Sequence, residues 1–512
     1  MISDTIGGSR ATLVATLAHR AATSPEALRT VAEQADWLEV RGDLVGDLSP
    51  ADLPGDRLLY TVRSRAEGGR GETDPEDRRQ RFAAALEAGY GLIDLEAERD
   101  LEAETLALVP AERRLLSWHG RPRDLADLTR RFEAMATTPA RFYKLVPTVH
   151  RPAEGLWPLQ LLASLQRADV IAFGGGPQGL WTRLLAPRLG AAWIYGAASE
   201  EASGAPGQPT VAALRRDFGL PELAPVEALC GVVGRPVAHS LSPRLHNGGY
   251  RALGLPLLYL PFETERFGDF WLEIVESRIP QSLGAPLRGL SVTAPFKGAA
   301  LAVSGAASPL CERLGVANTL VFSAGVWEAE STDPVGIVYA LRSHGCELEG
   351  RPAAVVGTGG AGRAAAFGLA REGARVTLFN RGAERAREAA EALDLPWAPL
   401  GDLDEGRFEV LVHATSAGRR RDDPAPLDAS RLAPGAAVVD MVYGQEPTAL
   451  LEAVAAEGGI AIDGREVLLY QALDQFRAMT GRDLPLDLGR ELLGLTSDPV
   501  GAGPADAGEL GG

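Results

Sequence analysis

The stretch RPAAVVGTGGAGRAAAFGLAREGARVTLFNR (residues 351–381) reads as strand, glycine-rich turn, helix and strand. Its GTGGAG segment (357–362) fits G-x-G-x-x-G. That pattern says little alone, but the apolar strand before it and the helix after it are the context a dinucleotide-binding unit requires. Gly357, Gly359, Gly360 and Gly362 let phosphates approach backbone N–H groups at a helix N-terminus. A site for NAD usually ends the second strand in Asp or Glu. Here that place holds Asn380 and Arg381, with Arg385 one turn later. Cations there suit a 2′-phosphate, so NADP is the expected cofactor.

Upstream the pattern changes. Eight short apolar runs alternate with amphipathic stretches: TLVATLA (12–18), WLEVRGD (37–43), LLYTVR (58–63), GLIDLE (91–96), LLSWH (115–119), FYKLVP (142–147), VIAFGGG (170–176) and AAWIYG (191–196). Eight βα repeats over some 200 residues predict a (β/α)8 barrel. Polar residues gather at the C-terminal ends of the runs, where such a barrel carries its active site: Glu39, Arg41, Arg63, Asp94, Glu96, His119 and Lys144. LPELAPVEALCG (220–231) reads as a linker. The α/β organisation expected is a barrel over 1–222, a second domain over 228–334 completed by helices within 465–495, a Rossmann domain over 335–464, and a disordered Pro/Gly-rich tail over 497–512.

The chain has 512 residues and 51 basic ones, of which only Lys144 and Lys297 are lysines. Arginine stays protonated in proteins, whereas lysine can become a neutral nucleophile or pass a proton. The two lysine positions are therefore candidates for chemistry. A net charge of −17 argues against nucleic acid or an anionic membrane as partner, and no apolar run approaches a membrane span. Cys230, Cys311 and Cys346 lie far apart, without metal spacing, which predicts no metal site and a reduced, cytoplasmic setting.

On a barrel strand, Lys144 suits a Schiff base, because burial and nearby arginines lower its pKa. His119, one strand earlier, suits a general acid/base beside it. Arg41, Arg63 and Arg183 point to a carboxylate substrate. At EVR (39–41), TVRSRAEGG (61–69), IDLE (93–96), SWH (117–119), YK (143–144), GLWTRL (179–184) and APGQPT (205–210) the chain resembles the type I 3-dehydroquinate dehydratases. The resemblance implies an imine between Lys144 and the C3 ketone of 3-dehydroquinate. His119 would remove the C2 proton and protonate the departing C1 hydroxyl, oriented by Glu67. Arg63, Arg183 and Gln208 would hold carboxylate and hydroxyls, with Glu39 and Arg41 bracing them. Gly204 stands where the family usually has Ser, with Ser203 one earlier.

In the second half, GRPVAHSLSPRLHN (234–247), SVTAPFK (291–297), GVANTL (315–320), STDP (331–334), ATSAG (414–418), VVDMVYGQEPTALL (438–451) and DGREVLLYQALDQF (463–476) together resemble shikimate dehydrogenase. Asp333 before Pro334 also reads as a helix N-cap. The resemblance implies that Ser240, Ser242, Thr293, Asn318, Tyr443 and Gln471 bind substrate. Lys297 would protonate the carbonyl oxygen, held by Asp333, and Thr415, Ser416 and Gly464 would join the cofactor site. Ser291, Ser331, Pro334 and Arg419 depart from the family's usual residues. The product of the first reaction, 3-dehydroshikimate, is the substrate whose reduction gives shikimate, so the halves fit as consecutive steps. Two other readings remain open from sequence: an aldolase-type barrel fused to a quinate dehydrogenase, and a ligand sensor with one inactive half. Oligomeric state is not readable from the chain.

Overall fold

A computed structural model describes residues 10–495 except 55, 72–73, 201–203, 206, 419–422, 424–425 and 445. The expected tail, Ser203 and Arg419 lie outside the described residues. The described residues divide into two compact units, 10–243 with Tyr250–Leu287, and Arg244–Gly249 with 288–495.

The first unit contains the barrel. Its strands are β1 Thr12–Leu17, β2 Trp37–Arg41, β3 Leu58–Thr61, β4 Leu92–Glu96, β5 Arg114–Gly120, β6 Phe142–Pro147, β7 Val170–Ala172 and β8 Trp193–Ala197. They run in the order β7-β6-β5-β4-β3-β2-β1-β8, each pair parallel. The ring is nearly closed, and Ala192 N–H donates to Val170 O across the last gap at 2.9 Å. Strands covered on both faces read as continuous apolar runs, which is why all eight were visible in the sequence. Helix Pro75–Ala88 shows how the connections are punctuated: Asp74 accepts the Glu76 and Asp77 N–H groups, and Gly89 ends it in the left-handed region. The regular strand of the seventh run ends at Ala172, with one further isolated bridge at Gly175, and a Cβ on Gly174 would stand 3.1 Å from the Gly179 backbone. The same unit carries parallel strands β9 Ala228–Gly234 and β10 Leu257–Glu263. The segment read as a linker thus already begins β9 at Ala228.

The second unit opens with β11 Leu287–Val292, β12 Ala306–Ala307, β13 Thr319–Ser323 and β14 Val326–Glu330. β13 runs antiparallel to both β11 and β14. A parallel six-stranded sheet follows, built from β15 Pro352–Val356, β16 Arg375–Asn380, β17 Trp397–Pro399, β18 Val410–His413, β19 Ala437–Asp440 and β20 Ile460–Asp463. Its order is β17-β16-β15-β18-β19-β20. The order reverses beside β15, the place where doubly wound sheets bind ligands, and the glycine-rich turn follows that strand. Val355, Val412, Val439 and Ile462 fill the sheet's core with Leu341 and Leu369 from the covering helices.

One local expectation is corrected. Asp333 is not the N-cap of helix Asp333–Ser343; Thr332 is, and Asp333 occupies its first turn. Its carboxylate is turned away from the helix N–H groups toward Lys297 and Asn318. Among the described residues no helix is long and apolar enough to cross a membrane, and no three side chains form a metal cluster.

Candidate active site

The barrel brings its sequence-selected residues together. Lys144 on β6 is 5% exposed, with Nζ 3.7 Å from both Glu39 Oε1 and Asp94 Oδ2. Burial lowers its pKa, and Arg63 and Arg41 add to the effect against the pull of Glu39 and Asp94. Glu39 is fixed from both neighbouring strands, accepting the Thr16 hydroxyl at 2.8 Å and the Thr61 hydroxyl at 3.0 Å. Burial pushes Asp94 up, but Arg63, Lys144 and the Ser117 hydroxyl outweigh it and hold the carboxyl low. The amine thus sits between two carboxyl groups without a close hydrogen bond to either. Burial, outweighing the pull of the two acids, favours loss of its proton, and the neutral amine can attack a carbonyl carbon.

His119 lies on β5, two residues beyond the register partner of Lys144. Its Nδ1 is 3.0 Å from Glu67 Oε2, which also accepts the His119 backbone N–H at 3.2 Å. Burial, followed by the charges of Arg63 and Lys144, holds the imidazole well below its usual pKa. Burial also pushes Glu67 up to about 8, helped by Glu96 and Asp94 and opposed by Arg63 and Arg99. The two shifts agree: near neutral pH the pair favours a neutral imidazole, with Nε2 left for a reacting proton.

The arginines divide into two kinds. Arg63 is saturated, with Asp94 at 2.7 Å, Glu67 at 3.1 Å, Glu96 at 3.2 Å and the Ser117 hydroxyl at 2.8 Å. Arg41 is bound bidentately by Asp43 and reaches Gly204 O at 3.3 Å. Arg183 differs. It is buried, donates to Tyr195 O at 3.0 Å and lies 4.2 Å over the Phe173 ring. Among the described residues it has no carboxylate within ion-pair distance. Gln208 accepts the Gly204 N–H and donates to Thr16, tying the loop after β8 to the C-terminal end of β1. Sequence reasoning missed the part Asp43 plays in organising this ring, and it missed Tyr195.

In the second unit Lys297 heads a short helix and pairs with Asp333. Asn318 donates to Asp333 Oδ1 at 2.8 Å and to Thr332 Oγ1 at 3.1 Å, and accepts the Thr332 N–H. A buried chain continues behind it. Thr319 donates to Asn318, Gln475 donates to Thr319 at 3.1 Å, and Ser291 donates to Gln475 at 2.9 Å. Gln475 was not selected from sequence. It lies one turn beyond Gln471, which packs against Gly336. Thr293, just after β11, and Tyr443 are partly buried in this unit, while Ser240 and Ser242 belong to the first, where Ser240 Oγ accepts the Ser242 N–H.

The glycine-rich turn fits a dinucleotide. Gly357 adopts φ +105°, and a Cβ there would stand 2.9 Å from Ala414 O and the Thr415 methyl. A Cβ on Gly362 would overlap the Gly357 carbonyl, so that glycine brings helix Gly360–Arg371 against the turn. Gly359 faces open space, as a position approached by phosphate should. A Cβ on Gly360 would meet Lys297 Cδ at 3.0 Å, so the lysine stem lies beside the helix N-terminus. Thr415 bonds His413 at 2.6 Å, and His413 is anchored by Asp440 at 2.9 Å; neither partner was selected from sequence. Ser416 is exposed on the same turn, and Gly464 packs on Asp440 O at the start of helix Gly464–Thr480. Asn380 ends β16 and bonds Gly382 O, while Arg381 and Arg385 are exposed and form no ion pair among the described residues.

Residues 13–221 match the family described as type I 3-dehydroquinase, and residues 232–320 match the shikimate dehydrogenase substrate-binding domain. The chain is 42% identical over 262 residues to shikimate dehydrogenase (NADP(+)) of Haloarcula marismortui, covering 50% of this chain and 95% of that one. The corresponding protein of Halorubrum lacusprofundi is 41% identical over 268 residues, covering 50% and 94%. The chloroplastic bifunctional 3-dehydroquinate dehydratase/shikimate dehydrogenase of Arabidopsis thaliana is 29% identical over 490 residues, covering 89% of this chain and 79% of that one.

Proposed function

We propose residue roles for a chain whose membership is shown: it belongs to the shikimate dehydrogenase family, with a type I 3-dehydroquinase domain ahead of that part. It is a bifunctional enzyme that dehydrates 3-dehydroquinate to 3-dehydroshikimate and reduces the product to shikimate with NADPH. The aldolase and sensor readings are not favoured by these matches. The observation that carries the assignment of roles is the placing of the chain's two lysines. One lies in each compact unit, and each is set against a carboxylate.

In the barrel, Lys144 attacks the C3 carbonyl of 3-dehydroquinate, and water leaves as the imine forms. Its lowered pKa supports this role, because only the neutral amine has the lone pair. His119 removes the C2 proton, the C1=C2 double bond forms, and the C1 hydroxyl departs with a proton from His119. Water then hydrolyses the imine and frees Lys144. Arg183 takes the substrate carboxylate, since Arg63 and Arg41 are already committed to Asp94, Glu67 and Asp43. Glu39, Arg41 and Arg63 then shape the ring of charge, and Gln208 holds the loop.

In the second half, a bound NADPH would supply a hydride for the carbonyl carbon. Lys297 gives a proton to the carbonyl oxygen, and Asp333, braced by Asn318, fixes its position. Thr293, Tyr443 and Gln471 contact the substrate from the second unit, and for Ser240 and Ser242, in the first, the family resemblance supports a substrate-binding role. Gly357, Gly359, Gly360, Gly362, Thr415, Ser416 and Gly464 form the cofactor cradle, and Asn380, Arg381 and Arg385 receive the 2′-phosphate. The chemistry divides as 1–222 for dehydration, 228–334 with helices in 465–495 for shikimate, and 335–464 for NADP. The partners are these small molecules, and cysteines that form no disulfide among the described residues suit a reducing cytoplasm. The test is a single incubation of the purified chain with 3-dehydroquinate and NADPH. One shikimate should appear per NADPH consumed, and failure to consume NADPH would refute the assignment.

A further inference from the structure

Tyr195 sits at the middle of β8, and neither its sequence setting nor the roles above use it. Its register partner is Val14, two residues before Thr16, whose hydroxyl binds Glu39. Alternation along the strand therefore sends Tyr195 to the same interior face as Glu39. Lys144 Nζ lies 4.2 Å from its ring centroid. Trp193 and Phe173 pack around the ring at 6.2 and 6.3 Å. The residue is 2% exposed, and its phenol oxygen has no hydrogen-bond partner among the described residues.

That orphaned hydroxyl is the informative feature. A phenylalanine would fill nearly the same volume and keep the ring against Lys144 without burying an unmatched polar atom. A buried hydroxyl without a partner lowers stability, so packing does not explain its presence. Burial, with Glu39 and Asp94 nearby, keeps the phenol well above its usual pKa, so it remains an O–H donor. The ring's negative face supports a cation on Nζ, which is the charge the nitrogen carries as a protonated imine.

We propose that Tyr195 is a further catalytic residue of the barrel site: its O–H donates to an oxygen of bound 3-dehydroquinate, and its ring faces the Lys144 nitrogen through imine formation. This rests on the barrel reading above. The test compares the full-length wild type with Tyr195→Phe and Tyr195→Leu. The readouts are kcat and KM for dehydration, the rate of borohydride trapping with 3-dehydroshikimate, shikimate oxidation, and Tm. Tyr195→Phe should lose about tenfold in dehydration kcat/KM with Tm equal to or above wild type and shikimate oxidation intact. Tyr195→Leu, lacking the ring, should also trap the imine about tenfold more slowly. Wild-type kcat/KM in Tyr195→Phe overturns the proposal. So does a Tyr195→Phe loss accompanied by a lower Tm, which would mark a structural role. A wild type that reduces 3-dehydroshikimate with NADPH but does not dehydrate 3-dehydroquinate overturns the barrel reading and this proposal with it.

Discussion

Replacing Arg183 by Met separates a binding charge from a structural one. The guanidinium is buried, and burial pulls its pKa from 12.5 down to about 10. At 1.36 kcal/mol per tenfold change in proton affinity, the site carries about 3 kcal/mol of uncompensated charging cost. Against that, the hydrogen bond to Tyr195 O contributes about 1 kcal/mol. The charging cost is the larger, so Arg183→Met should leave Tm unchanged or raised, despite removing a buried hydrogen bond. Binding should suffer instead. A charge-assisted contact to the substrate carboxylate is worth about 1.5–3 kcal/mol, or roughly 10- to 150-fold in affinity. Steady-state dehydration of 3-dehydroquinate should therefore show KM raised at least tenfold, kcat within a few fold, and shikimate oxidation unaffected. An unchanged KM, or a clear drop in Tm, would refute the reasoning that Arg183 is the charge kept free for substrate.

Other outcomes follow from the same geometry. Lys144→Arg keeps the charge but removes the neutral amine, so borohydride with 3-dehydroshikimate should no longer label the chain while shikimate oxidation persists. Glu67 has its folded pKa raised to about 8, so the stability it confers is present below its unfolded value near 4.5 and lost as pH rises through about 8. Tm should fall between those limits by an amount equivalent to a few kcal/mol, and the fall should be smaller in Glu67→Gln; equal slopes would contradict the shift. Substituting Arg381 and Arg385 together by Gln should raise KM for NADPH at least tenfold and leave NADH kinetics little changed. Gly360→Ala should push on the Lys297 stem and lower kcat for shikimate oxidation, whereas Gly359→Ala, which meets open space, should leave folding untouched and act only through cofactor KM.

The fold was legible because its signals are local. Eight buried strands announce themselves as apolar runs, and GTGGAG is punctuated by strand and helix. The reactive residues were legible for a different reason: a chain that uses arginine almost everywhere spends lysine at two positions. What sequence did not reveal is how charges are partitioned once folded. Arg41, Arg63 and Arg183 look alike in the chain, but Asp43 claims the first, and Asp94, Glu67 and Glu96 the second. Asp333 looked like a cap because Pro follows it, yet its carboxylate turns to Lys297 and Asn318. Gln475 and Gln471 share a helix face at i, i+4, and no pattern says which one the Ser291–Thr319 chain recruits. Tyr195 was just one aromatic in an apolar strand until its hydroxyl proved to have no partner.

The central claim is that two lysines serve two consecutive reactions on one chain. Product analysis of Lys144→Arg and Lys297→Arg, each given 3-dehydroquinate and NADPH, tests it most directly. Lys144→Arg should leave both reagents unconsumed but still reduce added 3-dehydroshikimate. Lys297→Arg should accumulate 3-dehydroshikimate, with its reduction slowed by roughly 100-fold or more, the usual size of general-acid catalysis. Shikimate formed from 3-dehydroquinate at near wild-type rate by either variant would contradict the account.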